Sequence, residues 1–458
     1  MLKLIKNGQI ITESGLIKGD ILIENEKIQK IAEDINVLVD EVTDAQNNYV
    51  IPGGVDVHTH LNLHVGNGIV AKDDFYTGTI AAACGGTTSI VDHMGFGPKG
   101  CSLQHQVEVY HGYAADNAVI DYGFHGVFQH INDTILDEIK VMVDNGIPTF
   151  KAYLTYGFKI DDDGLLKILS KVKEVDGLLT IHPENDSVIN YFRNKYLKAG
   201  KTSAIYHERS RPDYCEAEAI NRVICLAQMS GNPRLYIVHL SANAGLEFIK
   251  LAQKREQNVI AETCPQYLFL DDDDYKKPNL EGLKYILSPP IRNKSNQELL
   301  WQGIIDGDIS VVATDHCPFD WELRKELAAN DFSKCPNGLG GIETRIPLMF
   351  SEGVMKGRIS IERFVEVNCT NPAKIMGLYP QKGTLKIGSD ADIVIIDPNK
   401  KVTLTNSMLH QNVDYTPFEG MKLQGYPVLT MSRGRVIVKD NIFVGEKGYG
   451  QFIKRYIN

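Results

Sequence analysis

At 458 residues, 43% hydrophobic and 23% charged, the chain has the composition of a globular protein with a large core. Such a length suits two or three domains, or one large barrel with an appendage. Its net charge of −10 and the lack of any dense basic run exclude a nucleic-acid or anionic-membrane surface. No apolar run approaches the roughly 18 residues of a membrane span. Met1 to Gly8 is too short and too broken for a signal peptide, so the expected location is the cytoplasm. The eight cysteines lack Cys-x-x-Cys spacing and read as free thiols of such a compartment. The glycosylation-type triplets at Asn132, Asn293 and Asn368 then read as chance matches.

Residues 1–54 carry short strands and turns. Leu2 to Lys6 and Gln9 to Ile11 predict a hairpin around Asn7-Gly8. Asp20 to Glu24 and Asn25 to Ile31 predict another. The stretch from Lys382 to about residue 440 has the same texture. Neither end holds enough strands for a core of its own, so both together predict one small β-sandwich. Between them, eight apolar strand-like runs recur: Val55 to Thr59, Thr87 to Val91, Val119 to Phe124, Thr149 to Leu154, Leu178 to His182, Leu235 to His239, Asn258 to Glu262 and Ile309 to Thr314. Amphipathic stretches such as Thr134 to Asn145, Asp163 to Glu174, Tyr214 to Met229 and Ala244 to Glu256 separate them. Alternating strands and helices imply a parallel sheet, and eight units over about 320 residues imply an α/β (β/α)8 barrel of the TIM type. The expected domains are 1–54 and 379–458, forming the sandwich plus a tail, and 55–378, forming a catalytic barrel.

In such barrels the active site lies at the C-terminal ends of the strands. Those ends carry His58 and His60, Lys151, His182, His239 and Asp315. His58 and His60 are two apart on a strand and so project from one face. A lone His-x-His is weak evidence, but five strands here aim ligand-type groups at one mouth. Four histidines and an aspartate exceed the three or four ligands of one zinc, so two ions about 3.5–4 Å apart fit better. An ammonium at Lys151 would repel both. Once deprotonated, that lysine can take up carbon dioxide as a carbamate, an anion with one oxygen for each ion.

The segments Pro52 to His60, Gly85 to Thr88, Phe150 to Tyr156, His182 to Asn185, Tyr236 to Ser241, Glu262 to Tyr267, Leu287 to Pro290, Ala313 to Cys317 and Cys335 to Gly338 together resemble the cyclic amidohydrolases of the hydantoinase and dihydropyrimidinase family. The resemblance runs in order from residue 1 to about 440 and leans to the bacterial D-phenylhydantoinase branch. It implies an N6-carboxylated Lys151 bridging two divalent ions, zinc first, with manganese or cobalt as alternatives. His58, His60 and Asp315 would bind one ion, His182 and His239 the other. It also implies a homotetramer acting on a small cyclic ureide or amide, with no nucleic-acid or membrane partner. The reaction would be hydrolysis of 5-substituted hydantoins or dihydropyrimidines to N-carbamoyl amino acids. Asp315 would carry the proton from water to the leaving nitrogen, Tyr156 would donate to the oxyanion, and Ser288 and Asn337 would hold the ring, mainly through backbone groups.

The loop Leu61 to Gly68 departs from the Pro-Phe loop common in those relatives, which unsettles any transfer of substrate preference. His64 and His93 read as wall or supporting residues, since the ligand set is complete without them. Dihydroorotases carry an arginine two residues after the His-x-His, where this chain has Asn62, and allantoinases lack the tyrosine at 156. Metal-free scaffold relatives have lost ligands that this chain keeps. The acidic runs Asp161 to Asp163 and Asp271 to Asp274 read as solvated loops or helix starts. Gly338 to Gly341 lacks the ending of a phosphate loop and reads as backbone room for a ligand.

Overall fold

The computed structural model describes residues 1–457. Eight parallel strands form one sheet in chain order: Gly54–Thr59, Thr87–His93, Asp121–Val127, Thr149–Tyr153, Leu178–His182, Arg234–Ile237, Val259–Thr263 and Val311–Val312. A bridge between Thr59 and His316 brings the first strand against the segment after the eighth, making a nearly closed barrel. The third strand begins two residues later than its apolar run and extends to Val127, and the eighth is cut to two residues. In the third, Gly123, His125 and Gly126 are buried without being large apolar residues, so apolarity does not mark the strand's end.

The helices form where an apolar stripe meets capping chemistry. Asp162–Glu174 buries Leu165, Ile168, Leu169 and Val172, one face of a 3.6-residue period. Asp161 caps it by accepting from the Gly164 N–H, acidic residues fill its first turn and Lys171 and Lys173 its last, matching the helix dipole. Each of those four side chains contributes about 1.5–3 kcal/mol on burial. Asn132 caps Asp133–Asp144 in the same way. Asp271, the first of the other acidic run, caps a short turn at Asp272–Lys276.

Strands from the two termini join in a single nine-stranded mixed sheet. Tyr49–Pro52 is the seam, parallel to Leu2–Thr12 on one side and antiparallel to Ile393–Thr403 on the other. Its own core gathers Ile5, Ile10, Ile21, Ile23, Val50, Ile393, Ile395 and Met431. The hairpin at Asn25 is present, between Gly15–Glu24 and Lys27–Ala32. The hairpin expected at Asn7-Gly8 is not. Leu2–Thr12 is one continuous strand, and Lys6 and Asn7 make a bulge opposite Asp20 in its pairing with Gly15–Glu24, with Gly8 paired to Gly19. Asn7 takes the left-handed φ of 58° there, with its N–H donated to Asp20. Asn7 alone supplies the left-handed backbone a turn would need, and it goes into a bulge instead. Buried Lys382, held by Asp121 at 2.6 Å and by Asp390 and Asp392 at 2.9 Å, ties this sheet to the barrel's third strand.

Candidate metal centre

His58, His60, Lys151, His182, His239 and Asp315 converge at the C-terminal mouth of the barrel, and all six are buried. Asp315 Oδ1 stands 3.1 Å from the Nε2 atoms of both His58 and His60. His182 Nδ1 faces His239 Nε2 at 2.9 Å, and Lys151 Nζ lies 3.5 Å from His58 Nε2. His58, His239 and Asp315 present ligand atoms within 4.8 Å of one another.

Three carboxylates that carried no assigned role in the sequence orient this group. Glu262, at the end of the seventh strand, accepts from His58 Nδ1 at 2.7 Å, from the His239 N–H at 2.9 Å and from the Tyr236 hydroxyl at 2.8 Å. It thereby puts the proton of His58 on Nδ1 and turns Nε2 inward as a lone-pair donor. Glu184 accepts from His182 Nε2 at 2.9 Å and from Arg211 at 2.6 Å, so the inward nitrogen of His182 is Nδ1. Asp56 accepts from the Thr314 N–H and, at 2.7 Å, from its hydroxyl, while Gln266 donates to the Thr314 carbonyl. The peptide before Asp315 is thus pinned, and Asp315 itself sits at φ 53°, a left-handed conformation rare outside glycine. His239 at φ 40° and Tyr156 at φ 73° share that feature, and such strain concentrates at functional sites.

The electrostatics suit cations. Burial lowers the pKa of His60 to about 4 and outweighs the pull of Asp315. The Lys151 ammonium is held down to about 8 by burial, against the raising effect of Asp315 and Glu262. Burial works against the Asp315 carboxylate, but the His58 charge and bonds from His58 and His60 hold it well below the usual range. Burial likewise lowers His182 and His239, whereas at His58 burial is outweighed by Glu262 and Asp315, which raise it. The site thus combines three imidazoles biased to the neutral form, one biased to the charged form, a carboxylate and an amine poised to lose its proton. Among the described residues, His60 Nδ1 and His239 Nδ1 are buried with no hydrogen-bond partner. A donor set of this kind fits divalent ions held by nitrogen and oxygen ligands.

The residues expected to hold substrate also gather here. Tyr156 lies on the loop after the fourth strand, and burial raises its phenol, moderated by Arg211 and by the adjoining Ser288 and Asn337 side chains. Ser288 Oγ is buried without a partner. Phe96 packs on Phe158 at 4.2 Å and lies 6.3 Å from Tyr153, which is 6.2 Å from Tyr156, giving an aromatic wall beside the mouth. His93 is buried against His58, 4.4 Å between ring centroids, with both nitrogens unpartnered. His64 is exposed on a short hairpin and lines a cavity of about 310 Å³ with Phe96 and Tyr113. A surface cavity of about 890 Å³ is lined by the Gly157–Gly164 loop, Asp186 and Arg222, and none of the six convergent residues lines it. Gly338 serves packing: a Cβ there would fall 2.3 Å from the Cys317 carbonyl.

A family model described as the amidohydrolase family matches residues 49–437. The chain belongs to the amidohydrolase family. It is 54% identical over 455 residues to a D-phenylhydantoinase of Escherichia coli O1:K1, covering 99% of this amidohydrolase and 98% of that protein. The crystal structure of a dihydropyrimidinase from Brevibacillus agri superposes with a TM-score of 0.97 at 44% identity, over 100% of this chain and 99% of the other. An L-hydantoinase from Arthrobacter aurescens superposes at 0.90 with 32% identity, over 99% of both chains. This amidohydrolase therefore sits in the hydantoinase and dihydropyrimidinase branch, with the barrel and accompanying sheet of that branch.

Proposed function

We propose that this protein hydrolyses the cyclic amide bond of 5-substituted hydantoins, or of dihydropyrimidines, to give N-carbamoyl amino acids. The observation that carries the reading is the convergence of four imidazoles, Lys151 and Asp315 at one mouth, with His58 and His182 each turned inward by a buried glutamate. In this reading His58, His60 and Asp315 hold one divalent ion, His182 and His239 the other, and the Lys151 carbamate joins them. Zinc is the first choice, with manganese and cobalt also suited to these donors. Bound there, the ions supply positive charge that acidifies a water and polarises the ring carbonyl.

The chain's own residues do the rest. Lys151 loses a proton, and its amine adds to carbon dioxide to form the carbamate. Asp315 accepts the proton of the attacking water and returns it to the ring nitrogen as the C–N bond breaks. Tyr156 donates its hydroxyl hydrogen to the carbonyl oxygen as that oxygen gains charge. A phenol held protonated by burial is suited to that donation. Ser288 and Asn337, which adjoin Tyr156, hold the ring mainly through backbone groups. The wall of Phe96, Tyr153, Tyr156 and Phe158 favours an aromatic 5-substituent, which stacks edge to face on such rings.

Dihydroorotase activity is disfavoured by Asn62, whose side chain accepts from the Phe75 N–H at 3.0 Å and offers no cation to a substrate carboxylate. We also place the protein in the cytoplasm as a homotetramer; no helix among the described residues is long and apolar enough to cross a membrane. The decisive test is a turnover panel of hydantoin, both hands of 5-phenylhydantoin, dihydrouracil, allantoin and dihydroorotate, with metal content and molecular mass measured on the same preparation. Ring opening of 5-phenylhydantoin with about two ions per chain supports the reading. Metal-free protein that opens none of them overturns it.

A further inference from the structure

We propose that Asp73 and His316 are positioning residues for Asp315, and that they connect it to a strap, residues 405–415, from the C-terminal part of the chain. This inference rests on the reading of Asp315 as the proton carrier.

His316 follows Asp315 directly and is completely buried. Every polar atom of its ring and its carbonyl is engaged. Nδ1 accepts from the Gly341 N–H at 3.0 Å and the Ile342 N–H at 3.2 Å. That places the ring proton on Nε2, which donates to Asp73 Oδ2 at 2.9 Å. The His316 carbonyl accepts from the His60 N–H at 2.9 Å. One residue therefore grips the backbone of His60, the loop after Cys335 and a buried carboxylate. The peptide preceding Asp315 is held by Asp56 and Gln266, and the one following it has only His316. Asp315 holds a left-handed φ of 53°, a conformation open to aspartate, and these bonds on either side fix it while the residue stays buried.

Asp73 transmits the constraint outward. Its Oδ1 accepts from the Asn412 N–H at 2.8 Å, and its carbonyl accepts from the Asn62 N–H at 3.0 Å, at the root of the loop that departs from the relatives. Asn412 lies on the strap, which Glu343 clamps through the His410 N–H at 2.6 Å and Nδ1 at 2.8 Å. Glu343 lies one residue beyond Ile342, so strap and carboxylate are joined on two sides. Neither Asp73 nor His316 reaches the convergent ring nitrogens, so they act by setting where the Asp315 carboxylate points.

The test uses full-length, metal-loaded protein and the isosteric variants Asp73→Asn and His316→Asn, with His316→Gln in reserve should one of them fail to fold. Asp73→Asn keeps one acceptor where two are needed. His316→Asn keeps an acceptor for Gly341 and Ile342 but loses the donor to Asp73, and His316→Gln does the reverse. We expect kcat for ring opening to fall about 10–100-fold, with KM within about twofold and both ions retained. A merely structural role would lower active fraction or metal content and leave kcat per loaded site unchanged. Unchanged kcat in folded, loaded variants, or loss of metal in step with activity, overturns the inference. If wild type itself opens none of the ring substrates, it is the proton-carrier reading that fails.

Discussion

Replacing Lys151 with methionine should stabilise the metal-free protein while destroying its metal site. Lys151 is buried, and among the described residues its ammonium makes no salt bridge. Burial is the largest influence on it and lowers it from 10.5 to about 8. At about 1.4 kcal/mol per pH unit, that gap means that holding the ammonium inside costs about 3 kcal/mol at pH 7. Methionine has similar length and carries no charge, so it removes the cost. A group whose folded pKa is depressed makes the folded state relatively weaker as pH falls; the full penalty applies below about 8 and fades between about 8 and 10.5. The assay is urea unfolding of metal-stripped wild type and Lys151→Met in buffer free of carbon dioxide, at pH 7 and pH 10. The variant should be more stable by about 3 kcal/mol at pH 7, and the advantage should shrink at pH 10. The same variant should bind no bridged pair of ions. Lys151→Ala should do likewise, with part of its activity restored by a short carboxylic acid that stands in for the carbamate. Equal stability at pH 7 would refute the desolvation argument, and full activity in Lys151→Ala would refute the bridge.

Glu262→Gln should weaken metal binding about 10–100-fold in chelator competition, because a neutral amide holds His58 and the His239 N–H less firmly than a carboxylate; unchanged affinity would remove Glu262 from the site. His207, which donates from Nε2 to the Leu287 carbonyl at 2.7 Å beside Ser288, is lowered to about 3 by burial and then by the Arg211 charge. Its stabilising contribution is therefore present above pH 6.5 and lost as pH falls from there toward 3. Wild type should lose about 2 kcal/mol more than His207→Gln between pH 7 and pH 5 in urea unfolding; parallel losses would show that another group titrates. Phe158→Ala should lower kcat/KM for 5-phenylhydantoin relative to hydantoin by about 2–10-fold, the size of one aromatic contact. Equal losses on both substrates would place the wall away from the substituent.

What was legible in the sequence and what was not divides along the range of the interaction. The positions of His58, His60, Lys151, His182, His239 and Asp315 follow from two local rules: side chains alternate along a strand, and a barrel gathers its strand ends at one mouth. Both act over a few residues, so a reader of the chain can apply them. The orientation of the same groups is mostly not local, His182 with Glu184 two residues on being the exception. His58 takes its tautomer from Glu262, 204 residues away, and Thr314 is pinned by Asp56 at a separation of 258. A glutamate at a strand end looks like any other until the fold brings a histidine to it. The weak signal was position: Glu262 closes the seventh strand, the one strand between Lys151 and Asp315 on that side that had no ligand assigned to it. Left-handed φ at His239 and Asp315 was hidden for a related reason. Glycine advertises such conformations, whereas here they are imposed on ordinary residues by contacts on either side. The error at Asn7-Gly8 is the converse. Asn7 does take the left-handed backbone that the pair suggests, but whether it becomes a turn or a bulge depends on the strand that pairs beyond it, and Gly15–Glu24 continues past Asn7 to pair with Gly8. The chemistry of the mouth is therefore set by residues that can be read in order, and its precision largely by contacts that exist only once the barrel's first strand has met its last two.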